Sequence, residues 1–417
     1  MTQIKNTYRK LYKNQLFKNF ISLFSLQGIN LILPFLTLPY LGRILGAEKY
    51  GVVLMVYAVM QYLFVLCDFG FNLSATKDIS IYRDDKQKIN QIFSNIYYIK
   101  LVLVVLAFLL LVICVFTFDE LKNHKIAYFL GFGIVIGQVL NPIWLFQGLE
   151  NMKYMSRVNV IAKGLFTALI FVVIKVKSDY IYVPLLYSIG FIAGGLFSLY
   201  FAFNHFNVKW TLPNYKEIKR LVHNSFEYFL SRSAAALYTS SNTFMAGLAL
   251  GNYFAGIFGA AEKLFMAMTI IYTPLGDALY PYMAKNKNLK LFKKIIFFVV
   301  LANTVIAFFV YLFSDSIVLL IFGPDFIKSS ELLKLFCLLA VIFVPTVMIG
   351  YPFLGALGKE KYANYSVVFA SLLHILLLVI LFNHLTVSRI VYLLLFTQTI
   401  VFIIRLIGTN KLRLELK

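Results

Sequence analysis

The chain has 417 residues, of which 60% are apolar and 14% charged, with 39 Lys and Arg against 18 Asp and Glu for a formal charge of +21. Mean hydropathy is +0.80. A soluble domain is about 45–50% apolar, so these figures exclude a soluble enzyme, a disordered chain and a collagen-like fibre.

At about 20 residues per membrane-spanning helix, the apolar runs predict about twelve spans. In chain order they are 19–42, 50–71, 92–117, 126–148, 157–175, 180–203, 222–248, 253–282, 293–313, 331–356, 362–382 and 386–407. Their dense Leu, Ile, Phe and Val with few charges argue for helices. Barrel strands would alternate over about ten residues. The first run ends in Leu41-Gly42-Arg43-Ile44-Leu45-Gly46 rather than at a small-residue cleavage site, so it reads as a retained span. The pair 331–356 and 362–382 depends on a break at Gly358-Lys359-Glu360-Lys361.

The polar connections alternate in charge. The N-terminus, every second connection and the C-terminal tail hold most of the basic residues, among them Lys5, Arg9, Lys77, Arg83, Lys88, Lys216, Lys219, Arg220, Lys285, Lys287, Arg405 and Lys411. The positive-inside rule then places both termini in the cytoplasm, which requires an even number of spans. The excess charge faces anionic cytoplasmic lipid and is not a nucleic-acid footprint. All connections are short, so no extramembrane part can hold a core. The expected organisation is a cytoplasmic basic segment 1–18, an N-terminal lobe 19–203, a linker 204–221, a C-terminal lobe 222–407 and a cytoplasmic tail 408–417.

Two motifs recur. Leu45-Gly46-x4-Gly51 follows the first span, and Leu250-Gly251-x4-Gly256 follows the seventh, 205 positions later. Leu149-x3-Lys153-Tyr154 and Leu357-x3-Lys361-Tyr362 follow the fourth and tenth spans, 208 positions apart. The near-equal offsets predict a duplication of six helices, with both halves in the same orientation. Two such lobes leave a cleft between them.

Ionisable residues within spans are costly and mark functional sites. Here they are Asp68, Lys100, Lys163, Glu227, Arg232, Glu262, Lys263 and Asp277. Arg232 and Lys263 lie mid-span, where snorkelling to an interface is difficult, and suit an anion-binding cleft. The competing reading pairs them with Glu227 or Glu262. Lys100 and Lys163 lie near the cytoplasmic end and are expected to snorkel; in a cleft they would add to its positive charge. Asp68, Glu227, Glu262 and Asp277 are the candidates for ion or proton coupling. Pro34, Pro39, Pro142, Pro274, Pro281, Pro345 and Pro352 are expected to kink helices, whereas Pro184 lies in a first turn, where proline is tolerated.

Chemistry is otherwise unmarked. Cys67, Cys114 and Cys337 are isolated, and the five histidines show no ligand spacing. There is no Gly-x4-Gly-Lys-Ser/Thr loop, no His-Glu-x2-His and no Gly-x-Ser-x-Gly. Neither catalysis nor a cofactor nor a metal is expected.

Three stretches carry a resemblance. Leu33-Pro34-Phe35-Leu36-Thr37-Leu38-Pro39-Tyr40-Leu41-Gly42-Arg43-Ile44-Leu45-Gly46, Asp68-Phe69-Gly70-Phe71-Asn72-Leu73-Ser74-Ala75-Thr76 and Pro142-Ile143-Trp144-Leu145-Phe146-Gln147-Gly148-Leu149-Glu150 resemble bacterial O-antigen flippases of the Wzx type. These belong to the superfamily that also holds multidrug extruders and the lipid II flippase. The resemblance implies an all-α integral membrane protein, with about twelve helices in two six-helix lobes of the MATE-like exporter fold. It also implies passage of an undecaprenyl-diphosphate-linked oligosaccharide from the cytoplasmic to the periplasmic leaflet of the bacterial inner membrane. Other glycan-assembly membrane proteins are the implied protein partners. A cation-coupled exporter of small amphipathic molecules and a membrane glycan polymerase or ligase are the alternatives. The latter would need a large periplasmic loop.

Overall fold

The computed structural model describes residues 36–415, and every regular element among the described residues is a helix. The basic segment 1–18, the start of the first expected span and Pro34 lie outside the described residues. In chain order the helices are α1 (36–68), α2 (Phe71–Ile81), α3 (Lys86–Thr117), α4 (Asp119–Lys122), α5 (Lys125–Gly131), α6 (Gly133–Leu140), α7 (Ile143–Gly148), α8 (Met152–Val173) and α9 (Tyr182–Asn204). Then follow α10 (Tyr215–Leu250), α11 (Asn252–Thr269), α12 (Thr273–Asn286), α13 (Leu289–Leu312), α14 (Ser314–Ile321), α15 (Ser329–Ile349), α16 (Glu360–Ile380) and α17 (Val387–Glu415).

Nine helical stretches among the described residues are long and apolar enough to cross a membrane. The expected spans do not map onto them one to one. Leu36–Ile81 contains the described end of the first and the whole of the second, and the fifth falls in α8. The seventh falls in α10, whose many Ser, Thr and Asn residues keep it out of the nine. The outward faces of α3 and α13 are greasy: Leu101, Val105, Leu109 and Ile113 on one, Phe297, Leu301, Phe308 and Phe309 on the other, are all exposed. Such faces suit lipid rather than water.

The helices of each half pack mainly on each other. In the first half α6 and α8 pack on α9, and α2 on α7; in the second, α15 packs on α13 and α17, and α16 on α17. Proline acts at some of the expected places. The helix breaks between Leu140 and Ile143 around Pro142. Pro352 lies inside a wide turn of π-helix, Gly350–Gly355, that follows α15. Such turns free backbone carbonyls. Here the buried Arg405 supplies donors: Nη1 to Thr346 O at 2.7 Å, Nη2 to Ala363 O at 3.3 Å and Nε to Ser366 Oγ at 3.1 Å. The charge count assigns Arg405 to the cytoplasmic basic set. The structure instead makes it an internal brace, because its fork matches acceptors that a lysine would reach singly.

The two recurring motifs share backbone geometry and meet each other. Gly46 and Gly251 both have positive φ, 69° and 94°. So do Glu150 and Gly358, 57° and 77°, which are 208 positions apart. α1 therefore turns at Gly46 as α10 gives way to α11 at Gly251. Beyond these turns the two copies touch reciprocally. A Cβ at Gly51 would lie 1.8 Å from Asn252 O, and one at Gly256 would lie 1.9 Å from Ala47 O. Ala47 and Asn252 are themselves 205 positions apart, so the contact has local two-fold symmetry. Tyr50 packs beside it against Phe322 and Phe326, at centroid distances of 6.0 and 5.6 Å. Arg43 donates to the carbonyls of Leu320 and Ile321.

This contact leaves no room for a methyl group. Gly51→Ala and Gly256→Ala should each destabilise the purified protein by at least the ~1–3 kcal/mol typical of overpacking, read as a lower thermal midpoint in detergent. Gly164→Ala, inside α8 with nothing within 4 Å of the added carbon, should instead raise the midpoint slightly, because glycine in a helix interior is destabilising relative to alanine.

Candidate functional site

The interior between the halves holds the ionisable residues in three separate groups. The first lines a cavity of about 210 Å³. Lys163 reaches it from α8 in the first half and Lys263 from α11 in the second. Tyr50, Tyr57, Phe166, Tyr187 and Phe191 form much of the remaining wall. Neither lysine makes an ion pair with another described residue. Glu262, next to Lys263 in sequence, is buried and instead accepts a hydrogen bond from Thr243 Oγ1 at 3.0 Å. Two ammonium groups in a largely aromatic pocket have the chemistry to meet an anion, since each offers three donors.

The second group lies at the end of α1. Asp68 is 2% exposed at its side chain and sits between two cations. Lys100 Nζ from α3 is 3.6 Å away and only 1% exposed. Arg232 Nε from α10 is 4.0 Å away and 43% exposed. The expectation that Lys100 snorkels to an interface fails here: burial of its whole length is compensated by Asp68. Arg232 pairs neither with Glu227 nor with Glu262 but with Asp68 of the other half. Asp68 lies eleven residues beyond Tyr57 on one helix, or about 16 Å along its axis.

The third group closes the end that carries the basic connections. Arg220 Nη2 donates to Asp78 Oδ2 at 2.9 Å and to Glu217 Oε1 at 2.7 Å. Lys88 Nζ reaches Glu217 at 3.1 Å. Ser74 and Ser225 hydroxyls meet at 2.7 Å, and Phe69 stacks on Phe229 with centroids 4.8 Å apart. Beside this lies a cavity of about 290 Å³ lined by Lys77, Asp78, His223 and Glu227. Glu227 is thus placed at the mouth, apart from Arg232. The Asp277 side chain lies outside the described residues. Sequence reasoning missed this third group because its members are polar connection residues, which read as solvated.

The segment expected to be the linker is anchored rather than loose. The backbone N–H groups of Lys209, Thr211 and Asn214 donate to the side chains of Asn90, Ser94 and Asn95, each at 2.9 Å. Asn214 then caps α10, accepting from Glu217 N–H at 3.3 Å. Linker, cap and ion pairs therefore hold the start of α10 against α3.

The family model described as "Polysaccharide biosynthesis protein" matches residues 16–287. The chain belongs to this family. An Escherichia coli (strain K12) protein named "Putative O-antigen transporter" is 29% identical over 284 residues, 68% of this chain and 68% of that one. A Shigella dysenteriae protein of the same name is 28% identical over 366 residues, covering 86% and 91%. A solved structure titled as the inward-facing conformation of a multidrug resistance MATE family transporter of the MOP superfamily has a TM-score of 0.70 at 14% identity, covering 91% and 94%. A MOP superfamily transporter from Pyrococcus furiosus has a TM-score of 0.56 at 16% identity, covering 94% and 92%. The expected all-α, MATE-like exporter fold is therefore the fold of this family member. It is a multi-pass membrane protein of polysaccharide biosynthesis.

Burial alone would raise the Glu217 carboxyl, but the hydrogen bonds from Arg220 and Lys88 outweigh it and hold the group below the usual carboxylate range. A depressed folded pKa contributes stability that is complete above the unfolded value, near 4.5, and is lost as pH falls through the folded value. The thermal midpoint should therefore drop below about pH 4.5, and Glu217→Gln should flatten part of that drop in a pH series of melting scans.

Proposed function

We propose that the chain is a flippase for undecaprenyl-diphosphate-linked O-antigen or polysaccharide repeat units. It carries them from the cytoplasmic to the periplasmic leaflet of the bacterial inner membrane by alternating access. The observation that carries this reading is the pair of lysines, Lys163 and Lys263, presented to one cavity from opposite halves. The ammonium groups hold the diphosphate, the glycan occupies the cleft, and the prenyl tail stays in lipid. Crossing bare hydrocarbon instead would strip every sugar hydroxyl of its hydrogen bonds.

In this reading the segments 19–203 and 222–407 move as two lobes about the linker 204–221. The basic end is cytoplasmic, next to anionic lipid. The Gly51–Gly256 contact is then the periplasmic closure, and the Arg220 cluster belongs to the cytoplasmic mouth. Asp68, Glu227, Glu262 and Asp277 remain the groups available for ion or proton coupling. Among the described residues lining the cavity the two that carry charge at neutral pH are both lysines, which disfavours an exporter of amphipathic cations.

Deletion of the chain in its host, followed by leaflet fractionation of lipid-linked glycan, tests the proposal. Single repeat units should accumulate on the cytoplasmic side, whereas periplasmic accumulation would overturn flipping in favour of a polymerase. Charge-assisted hydrogen bonds contribute about 1.5–3 kcal/mol, so Lys163→Ala and Lys263→Ala should each lower flipping roughly tenfold or more at equal protein level. Full activity in both would remove the lysine pair from the mechanism.

A further inference from the structure

Asp68, Lys100 and Arg232 have an asymmetry that the proposed function does not use. Asp68 and Lys100 belong to the same half and are sealed, at 2% and 1% side-chain exposure. Arg232 comes from the other half and is 43% exposed. The two oxygens of Asp68 have no hydrogen-bond partner, and the separations of 3.6 and 4.0 Å from the two cations exceed hydrogen-bond length. Arg232 is thus held by charge attraction alone, with no directional bond to break.

We infer that Lys100 is a positioning residue that lets Arg232 leave Asp68 for the diphosphate of the substrate. This rests on the flippase reading above and deepens it by adding a second anion station. Two cations around one carboxylate leave one positive charge in surplus. When Arg232 turns away, Lys100 still neutralises Asp68, so the sealed pair stays balanced. Without Lys100 the same motion would strand a buried carboxylate, which is strongly unfavourable. Lys100 therefore lowers the cost of releasing Arg232 without touching the ligand. The released guanidinium presents a planar fork of donors that matches phosphate oxygens. Station one is Arg232 near the basic end, and station two is Lys163 with Lys263, separated along α1 by roughly the 16 Å rise from Tyr57 to Asp68.

The test uses the purified full chain and farnesyl diphosphate, with farnesol as the uncharged control. Wild type should bind the diphosphate in preference to the alcohol. Lys100→Met should weaken binding about tenfold, within the usual range of coupling between sites. Asp68→Asn should bind at least as well as wild type. The Lys100→Met/Asp68→Asn double variant should match Asp68→Asn, because the stranded charge is gone. In an Arg232→Gln background, already weakened, Lys100→Met should cause no further loss, which a merely structural role would not produce.

Unchanged binding in Lys100→Met would overturn the inference. So would a double variant as weak as Lys100→Met alone, since that places Lys100 on the ligand itself. If Lys100→Met fails to fold, the double variant compared with Asp68→Asn decides the question. A wild-type chain that ignores the diphosphate would overturn the flippase reading itself.

Discussion

A bilayer supplies no water to a polar group that leaves its helix, and this constraint organises the molecule. Several hydroxyls and amides that face inward bridge to backbone carbonyls of other helices. Ser188 Oγ donates to Leu130 O at 2.6 Å, Asn303 Nδ2 to Ala340 O at 3.0 Å and Ser329 Oγ to Ile257 O at 2.8 Å. Arg405 answers the carbonyls around the π-turn in the same way. Asp68 and Lys100 answer each other. A charge stays in this interior at least cost with a compensating neighbour or an opening to water, as sealed Asp68 and Lys100 show for the first and half-exposed Arg232 for the second.

The symmetric glycine contact follows from a second constraint. Two helix ends can approach to backbone distance only where neither carries a side chain, as at small-residue crossings in membranes. Gly51 and Gly256 meet that requirement at equivalent places in the two copies. Their turns rely on Gly46 and Gly251, whose positive φ values are unstrained only without a Cβ. One short motif thus provides both the turn in the chain and the surface on which its two copies meet.

Legibility in the sequence was uneven for physical reasons. Apolar runs report helices reliably because lipid demands them, and the duplication was visible because its glycines are sterically required. Partnership between charges was not visible. Arg232 and Asp68 are separated by most of a lobe in sequence, and no helical spacing rule joins residues across an interface. Lys100 read as snorkelling because its depth alone suggested it, whereas its direction was set by packing of α3 against α1. The near-continuity of spans 1 and 2 was equally hidden, since a turn at one glycine leaves helical hydrogen bonding almost unbroken from 36 to 68. His374, bland by spacing, proves to be buried with Nε2 2.8 Å from Asn242 Oδ1.

The two copies share their frame but not their charges. At the offset of 205, Asp68 corresponds to Thr273 and Lys263 to Ala58; at 208, Lys163 corresponds to Ser371. A duplicated pair of identical cationic lobes would repel across its own cleft and would present equal attraction on both sides. Placing one lysine on each half at non-equivalent positions, with an acid-held arginine about three helical turns away, avoids that balance. The net charge of +21 therefore says little about the interior. Among the described residues Asp68 is engaged by Lys100 and Arg232 and Glu262 accepts from Thr243, while neither lysine of the cavity has an ion-pair partner.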